Sequence, residues 1–368
     1  MDALTLVLFV AGFVLLIAGA ELLVRGASSL ATLFGVAPLI VGLTVVAYGT
    51  SAPELAVSIQ SSFQEQSDIA LGNIVGSNIM NVLFILGLSA AISPLIVSRR
   101  LIQLEVPLTI VISVSLWVFA LDGHLGRTEG LVFFGGIVAY TIFLAKQSRR
   151  EHDGDDWRAE RAAGNQSRGR AILTRVGLAL VGLVLLALGA DWLVDGAVQL
   201  AGTLGVSELV IGLTIVAIGT SLPEVATSVV ATIRGQRDIA VGNILGSSIC
   251  NILLVLGATS LIVPGGMIVP ESAQNFDIPI MTAVAVACLP IFFTGHLIAR
   301  WEGFLLVGYY VAYVLYLLLR ASEHDQLRDT YNLVMLAFVV PLTALTLGIV
   351  VARALRSRQS EANKPASR

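Results

Sequence analysis

Residues 178–190 read LALVGLVLLALGA, and runs of this kind recur from one end of the chain to the other. About 20 such residues cross a bilayer as a helix. This feature constrains the fold most, because lipid offers no hydrogen-bond partner. A backbone inside it must satisfy its own polar groups, which only helices and closed barrels do. A barrel strand alternates apolar and polar residues, and these runs do not alternate. The chain is therefore read as an all-α polytopic membrane protein. Composition agrees: 13% of the residues are charged, against about 25% in soluble domains. The net charge of −3 carries little information, because charge is confined between the runs.

Hydropathy predicts eleven spans, over 3–24, 38–63, 69–92, 104–121, 129–146, 172–194, 208–232, 239–263, 277–295, 302–319 and 331–352. The first, with no basic n-region and no A-x-A cleavage site, reads as a retained span rather than a signal peptide. One sizeable polar linker, 147–171, separates residues 1–146 from 172–320; residues 321–368 add a further span and a basic tail. The linker's DGDD lacks the spacing of a calcium loop. Cys250 and Cys288 fall in apolar runs and read as small core residues. Cytoplasmic loops collect Lys and Arg. With the N-terminus outside, 19 of the 22 basic residues lie inside, including those of the linker and the tail. Only Arg127, Arg320 and Arg328 lie outside.

The two halves repeat one another. VVAYGTSAPE at 45–54 returns as IVAIGTSLPE at 215–224, and GNIVGSNIMN at 72–81 returns as GNILGSSICN at 242–251. Each residue stands 170 positions from its partner, without a gap, from Gly19 and Gly189 to Gly87 and Gly257. Five spans per half is an odd number, so the second copy enters the membrane from the other side. The architecture expected is an inverted 5+5 transmembrane helix repeat plus an eleventh helix. Loop charges agree with the inversion: QEQSD at 64–68 aligns with RGQRD at 234–238, and Arg25 with Asp195. Inverted repeats place their substrate sites near the midplane, at the repeat interface.

Glu54 and Glu224 stand halfway along their spans. A carboxylate there costs about 2.5–3.5 kcal/mol by insertion scales, and such residues face a cavity and carry function. Pro53 and Pro223 lack an N–H, so the carbonyls of Gly49 and Gly219 lose their helical donors. Freed carbonyls of this kind can turn to a cation. Thr50 and Ser51 share a helix face with Glu54, as Thr220 and Ser221 do with Glu224. Ser77 with Asn81, and Ser247 with Asn251, are i,i+4 pairs. Asn73 and Asn243 read as interhelical glue, Asp68 and Asp238 as N-caps, and the G-x-x-x-G glycines as packing positions. All the donors are hard oxygens, the class that calcium takes six to eight at a time.

With these two motifs in order, at one offset and in inverted halves, the sequence resembles the calcium/cation antiporter superfamily, most closely its sodium/calcium exchanger branch. The resemblance covers about residues 1–320. It implies ten helices around one calcium position and adjoining sodium positions. Glu54 and Glu224 would bind both ions, with the backbone oxygens of Thr50 and Thr220. Ser51, Ser77, Ser221 and Ser247 would complete the sodium positions, with the carbonyls of Ala47 and Ala217, and Asn81 would line the centre. Asn251 stands where such exchangers often carry Asp. The short linker leaves no room for the large regulatory loop of animal exchangers, which suits the plasma (inner) membrane of a prokaryote.

The function expected is antiport of external Na+ against internal Ca2+, with the first and sixth helices sliding over a fixed core. Proton/calcium exchange is the alternative within transport, and a cation channel the alternative outside it. Only Lys146 and Lys364 occur and neither follows a Gly-rich loop, so an ATP-driven pump has no Walker A. The four histidines lie away from the paired segments, which leaves a hydrolase without its base. The partners expected are Ca2+, Na+ and the lipid bilayer, with no cofactor, nucleic acid or partner protein.

Overall fold

The computed structural model describes residues 3–150, 165–203, 217–293 and 296–321, with five isolated positions beyond. Among the described residues, ten helices of 12 residues or more follow one another: α1 (Ala3–Phe34), α2 (Pro38–Phe63), α3 (Ser67–Ile92), α4 (Leu101–Asp122), α5 (Arg127–Arg150), α6 (Asn165–Thr203), α7 (Leu222–Ile233), α8 (Arg237–Ile262), α9 (Ala273–Phe292) and α10 (Arg300–Ala321). All but α7 are long and apolar enough to cross a membrane. The first part of the seventh expected span, most of the linker and nearly all of the eleventh span lie outside the described residues.

The helices α1 and α6 outrun the predicted spans 3–24 and 172–194. Hydropathy sees only the apolar stretch, whereas a helix continues through Arg25 or Asp195 until the backbone changes. For α1 that change comes at Gly35, whose φ of 60° is left-handed, a conformation glycine adopts without a Cβ penalty. The expected N-caps are corrected. Asp68 and Asp238 sit inside the first turns of α3 and α8, and the cap positions belong to Gln66 and Gln236. There the two acids complement the helix dipole instead.

Four two-residue strands finish the loops: β1 (Leu95–Ile96), β2 (His124–Leu125), β3 (Met267–Ile268) and β4 (Leu297–Ile298). β1 pairs with β4, and β2 with β3, both antiparallel. β3 occupies in the second half the place of β1 in the first, and β4 that of β2. One pairing is therefore the twofold image of the other. Direction is read from α1 and α6. Gly12 meets Gly189, Gly19 meets Gly182, and Gly26 meets Arg175 and Ala179. Numbers rise along one helix as they fall along the other, so the equivalent helices run antiparallel and the repeat is inverted.

The core lies around α3 and α8. Every residue of α8 from Ile239 to Cys250 is buried. Gly242 lies against Leu39 and Gly42, and Gly246 against Leu43 and Ala47, with no room for a Cβ. That is the close approach expected of G-x-x-x-G spacing in the second motif; Gly72 and Gly76 of the first meet no described atom within 4 Å. Cys250 and Cys288 are buried and free. Apolar side chains on the outer faces, such as Val7, Val14 and Ile17 of α1 and Leu180 and Val184 of α6, are exposed and are suited to acyl chains.

Candidate ion-binding site

The GTSAPE segment breaks α2. Helix runs to Thr50, Ser51 takes φ −81° and ψ 4°, and helix resumes at Ala52 with Pro53 in its first turn. A proline is tolerated there because a first-turn N–H has no helical acceptor. GTSLPE repeats the break: Ser221 takes φ −89° and ψ 4°, and α7 starts at Leu222. Glu54 and Glu224 thus stand in the first turns of half-helices, where the dipole favours an anion. Ser51 and Glu54 have capping-box spacing, as do Ser221 and Glu224. Neither serine caps its helix, so both oxygens remain available to the site.

The structure brings the two motifs of each half together and then joins the halves. Ser221 Oγ lies 3.3 Å from Glu54 Oε1 and 2.9 Å from Ser77 Oγ. Ser247 Oγ lies 3.5 Å from Glu224 Oε1 and 3.5 Å from Thr50 Oγ1. Each carboxylate is 1% exposed. Asn81 and Asn251 are buried one turn beyond Ser77 and Ser247. Each opens a π-helical turn, Asn81–Leu86 and Asn251–Leu256, an irregularity frequent at functional sites. Thr220 is half-buried. The carbonyl of Ala47 accepts the Ser51 N–H at 3.0 Å. Ala217 begins the short helix Ala217–Gly219.

The glue reading of the two outer asparagines holds. Asn73 Nδ2 donates to Ser58 Oγ at 3.0 Å and to the Glu54 carbonyl at 3.3 Å, while its Oδ1 accepts from Thr220 Oγ1 at 3.0 Å. Asn243 mirrors it, donating to Ser228 Oγ at 3.0 Å and accepting from Thr50 Oγ1 at 3.2 Å. Each asparagine therefore pins a carboxylate-bearing half-helix to the opposite repeat.

Five oxygens in this cluster are buried without a hydrogen-bond partner: Ser51 Oγ, Glu54 Oε2, Asn81 Oδ1, Glu224 Oε2 and Asn251 Oδ1. Leaving a buried polar atom unpaired costs about 1–3 kcal/mol. All five are electron-rich and come from four helices, the kind of donor that a dehydrated cation would satisfy. Among the described residues no cluster of three His, Cys, Asp or Glu side chains occurs. The group is two carboxylates set among neutral oxygens, which suits a hard cation that has to leave again.

Two further polar arrangements escaped the sequence reading. Tyr140 donates to Glu105 at 2.6 Å, and Tyr313 donates to Asp277 at 2.9 Å. These are twofold images, bracing α4 on α5 and α9 on α10. The signal was an acid near the start of each predicted span. The other is Asn78 with Ser248, the polar pair at which the two motifs differ. Asn78 Nδ2 reaches the Ser248 carbonyl at 3.3 Å, and Asn81 Nδ2 reaches Ser248 Oγ at 3.4 Å.

The family described as sodium/calcium exchanger protein matches residues 4–146 and 174–319. The chain is 40% identical over 289 residues to CaxA, a candidate antiporter of Alkalimonas amylolytica, covering 78% of this chain and 90% of that one. It is 36% identical over 287 residues to the inner membrane protein YrbG of Escherichia coli, covering 78% and 88%. Its fold superimposes on the sodium-calcium exchanger NCX_Mj, soaked with 10 mM Na+ and zero Ca2+, with a TM-score of 0.73 and 30% identity, over 84% of this chain and 98% of that one. The chain belongs to the sodium/calcium exchanger family. It is an integral membrane transporter of the cation-antiporter class, not an enzyme.

Proposed function

We propose that the chain exchanges Na+ for Ca2+ by alternating access, with both ions using the oxygen shell between the repeats. The observation that carries this reading is the set of five buried, unpartnered oxygens around Glu54 and Glu224. Glu54, Glu224, Asn81, Asn251 and the four serines Ser51, Ser77, Ser221 and Ser247 supply side-chain oxygens, and Thr50, Thr220, Ala47 and Ala217 supply backbone ones. Residues 1–146 and 172–320 form the two five-helix units, joined by a cytoplasmic linker, with the N-terminus outside. The relatives' names, sodium-calcium exchanger and antiporter, support the pair of ions.

Charge balance bears on the stoichiometry. Two carboxylates carry −2, which one Ca2+ or two Na+ neutralise and three Na+ overshoot. Asn251 adds an oxygen without a charge. A two-for-one cycle moves no net charge, whereas a three-for-one cycle moves one, worth about 2.3 kcal/mol per 100 mV. Purified protein in liposomes provides the test. Ca2+ uptake is expected when Na+ is loaded inside and diluted outside, and none is expected from a pH gradient of equal size. Uptake driven by the pH gradient alone assigns the counter-ion to protons, and uptake needing neither gradient makes the chain a channel.

A further inference from the structure

An asparagine offers a cation either a carbonyl oxygen or an NH2 group, and only the oxygen binds. The two amides at the centre, Asn81 and Asn251, therefore work only one way round, and something has to choose. We propose that Ser248 and Asn78 choose: they are positioning residues whose hydrogen bonds hold both central amides with the oxygen toward the ions. The proposal rests on the cation site above.

Donors and acceptors around the two amides fix their direction. Ser248 Oγ is 3.0 Å from the Ile244 carbonyl, which can only accept, so the hydroxyl proton goes there. The same Oγ is then left as an acceptor toward Asn81, 3.4 Å away, so Asn81 turns its NH2 to it. Asn78 is fixed in the same manner. Its Nδ2 lies 3.3 Å from the Ser248 carbonyl and 3.6 Å from Met281 Sδ, neither of which can donate. Both N–H groups of Asn78 are thereby used, and its Oδ1 faces Asn251. Asn251 Nδ2 donates to it at 3.1 Å. Both amide nitrogens end on the relay, and Asn81 Oδ1 and Asn251 Oδ1 are the oxygens left without a partner.

All four residues are buried, so no bulk water competes for these bonds. The relay also accounts for a break in the repeat. Asn78 and Ser248 occupy equivalent positions and touch each other across the pseudo-twofold axis. One long and one short side chain mesh there, and a single backbone-anchored hub serves both halves. The motifs GSNIMN and GSSICN differ at this point for that reason.

The test is 45Ca2+ uptake by full-length protein in Na+-loaded liposomes, with initial rates over a range of Ca2+ giving a half-saturation concentration and a maximal rate. Asn78→Leu is expected to raise half-saturation about tenfold, with a smaller change in the maximal rate. Ser248→Ala, which removes one oxygen atom and tests the relay even where Asn78→Leu does not fold, is expected to do the same. Ser248→Thr restores the hydroxyl and is expected to recover affinity to within about threefold. The discriminating pair is Asn251→Asp with and without Asn78→Leu. An aspartate has oxygens at both ends and needs no orientation, so Asn78→Leu is expected to lose its effect there. If Asn78→Leu raises half-saturation equally with and without Asn251→Asp, or raises it in neither background, the relay is overturned. Wild-type protein that takes up no Ca2+ under any gradient overturns the reading of the site itself.

Discussion

Two helix pairs related by the same twofold axis hold together by different means. In the α3 and α8 pair the repeats meet through side chains, with the Asn78, Asn81, Ser248 and Asn251 bonds at the centre and Asn73 and Asn243 pinning the half-helices beside them. In the α1 and α6 pair they meet largely through close backbone approach, with one side-chain bond, from Arg175 to the Ser29 carbonyl at 3.3 Å. Gly12, Gly19 and Gly26 stand every seventh residue on α1, and Gly182, Gly189 and Gly196 every seventh on α6; Gly12 meets Gly189 and Gly19 meets Gly182, while Gly26 meets Ala179 and Gly196 meets the Phe9 side chain. Fixed hydrogen bonds hold one register, whereas a smooth glycine seam between apolar helices resists displacement far less. Under the proposed exchange, the first pair would hold the ions and the second would be suited to movement past the core. The α1 and α6 pair packs into a second hydrophobic cluster, which it shares with Val41 and Val46 of α2, Ala226 and Ala231 of α7 and Ile239 and Ala240 of α8.

The sharpest way to break this division is at the carboxylates. Glu54→Gln, or Glu224→Gln, keeps volume and one hydrogen bond but removes a ligand charge. Na+-driven Ca2+ uptake is expected to fall on the order of a hundredfold or more. Thermal unfolding in detergent is expected to be unchanged or improved, because a buried neutral amide is cheaper than a buried charge. Wild-type uptake from Glu54→Gln would remove that residue from the site.

Next comes the glycine seam. A Cβ at Gly19 would lie 2.7 Å from Gly182 O and 2.7 Å from Leu186 N, both backbone atoms. Gly19→Leu therefore forces the helices apart, at about 1–3 kcal/mol of overpacking. Uptake is expected to fall about tenfold, while Ca2+ binding at equilibrium stays near wild type. If binding falls as far as uptake, the seam belongs to the site and the division fails.

The smallest effect is expected where α1 touches the core through charge. Glu21 pairs with Arg25 on its own helix and with Arg234 at 2.8 Å, beyond the end of α7. The equivalent positions on the other side of the membrane carry Asp191, Asp195 and Gln64 and cannot form this triad. Arg234 is 54% exposed, so Arg234→Ala is expected to change stability by only about 0–1 kcal/mol. A larger loss, measured by thermal unfolding, would show that α1 is anchored rather than resting on a seam.

Much of this was legible in the residues. The spans follow from hydropathy, the repeat from one offset, its inversion from an odd number of spans, and Glu54 and Glu224 from the cost of burying an acid in lipid. Asn73 and Asn243 read correctly as glue. Asp68 and Asp238 did not read as caps correctly, because helix ends depend on a turn geometry that composition specifies only loosely. Glu105 with Tyr140, and Asp277 with Tyr313, join residues 35 and 36 positions apart, a distance that no local pattern spans.

The sequence by itself determined that the backbone folds as helices in lipid, that two halves mirror one another, and that each half carries one acid within an apolar span. These are properties of single segments and of their spacing. Only the tertiary structure decided which atoms face one another: the register of the Gly12 and Gly189 seam, the five oxygens left unpartnered, and the Ser248 hub that orients Asn81 and Asn251. An amide shows the same letter whichever way it turns, and its direction is set by donors and acceptors brought from the opposite repeat.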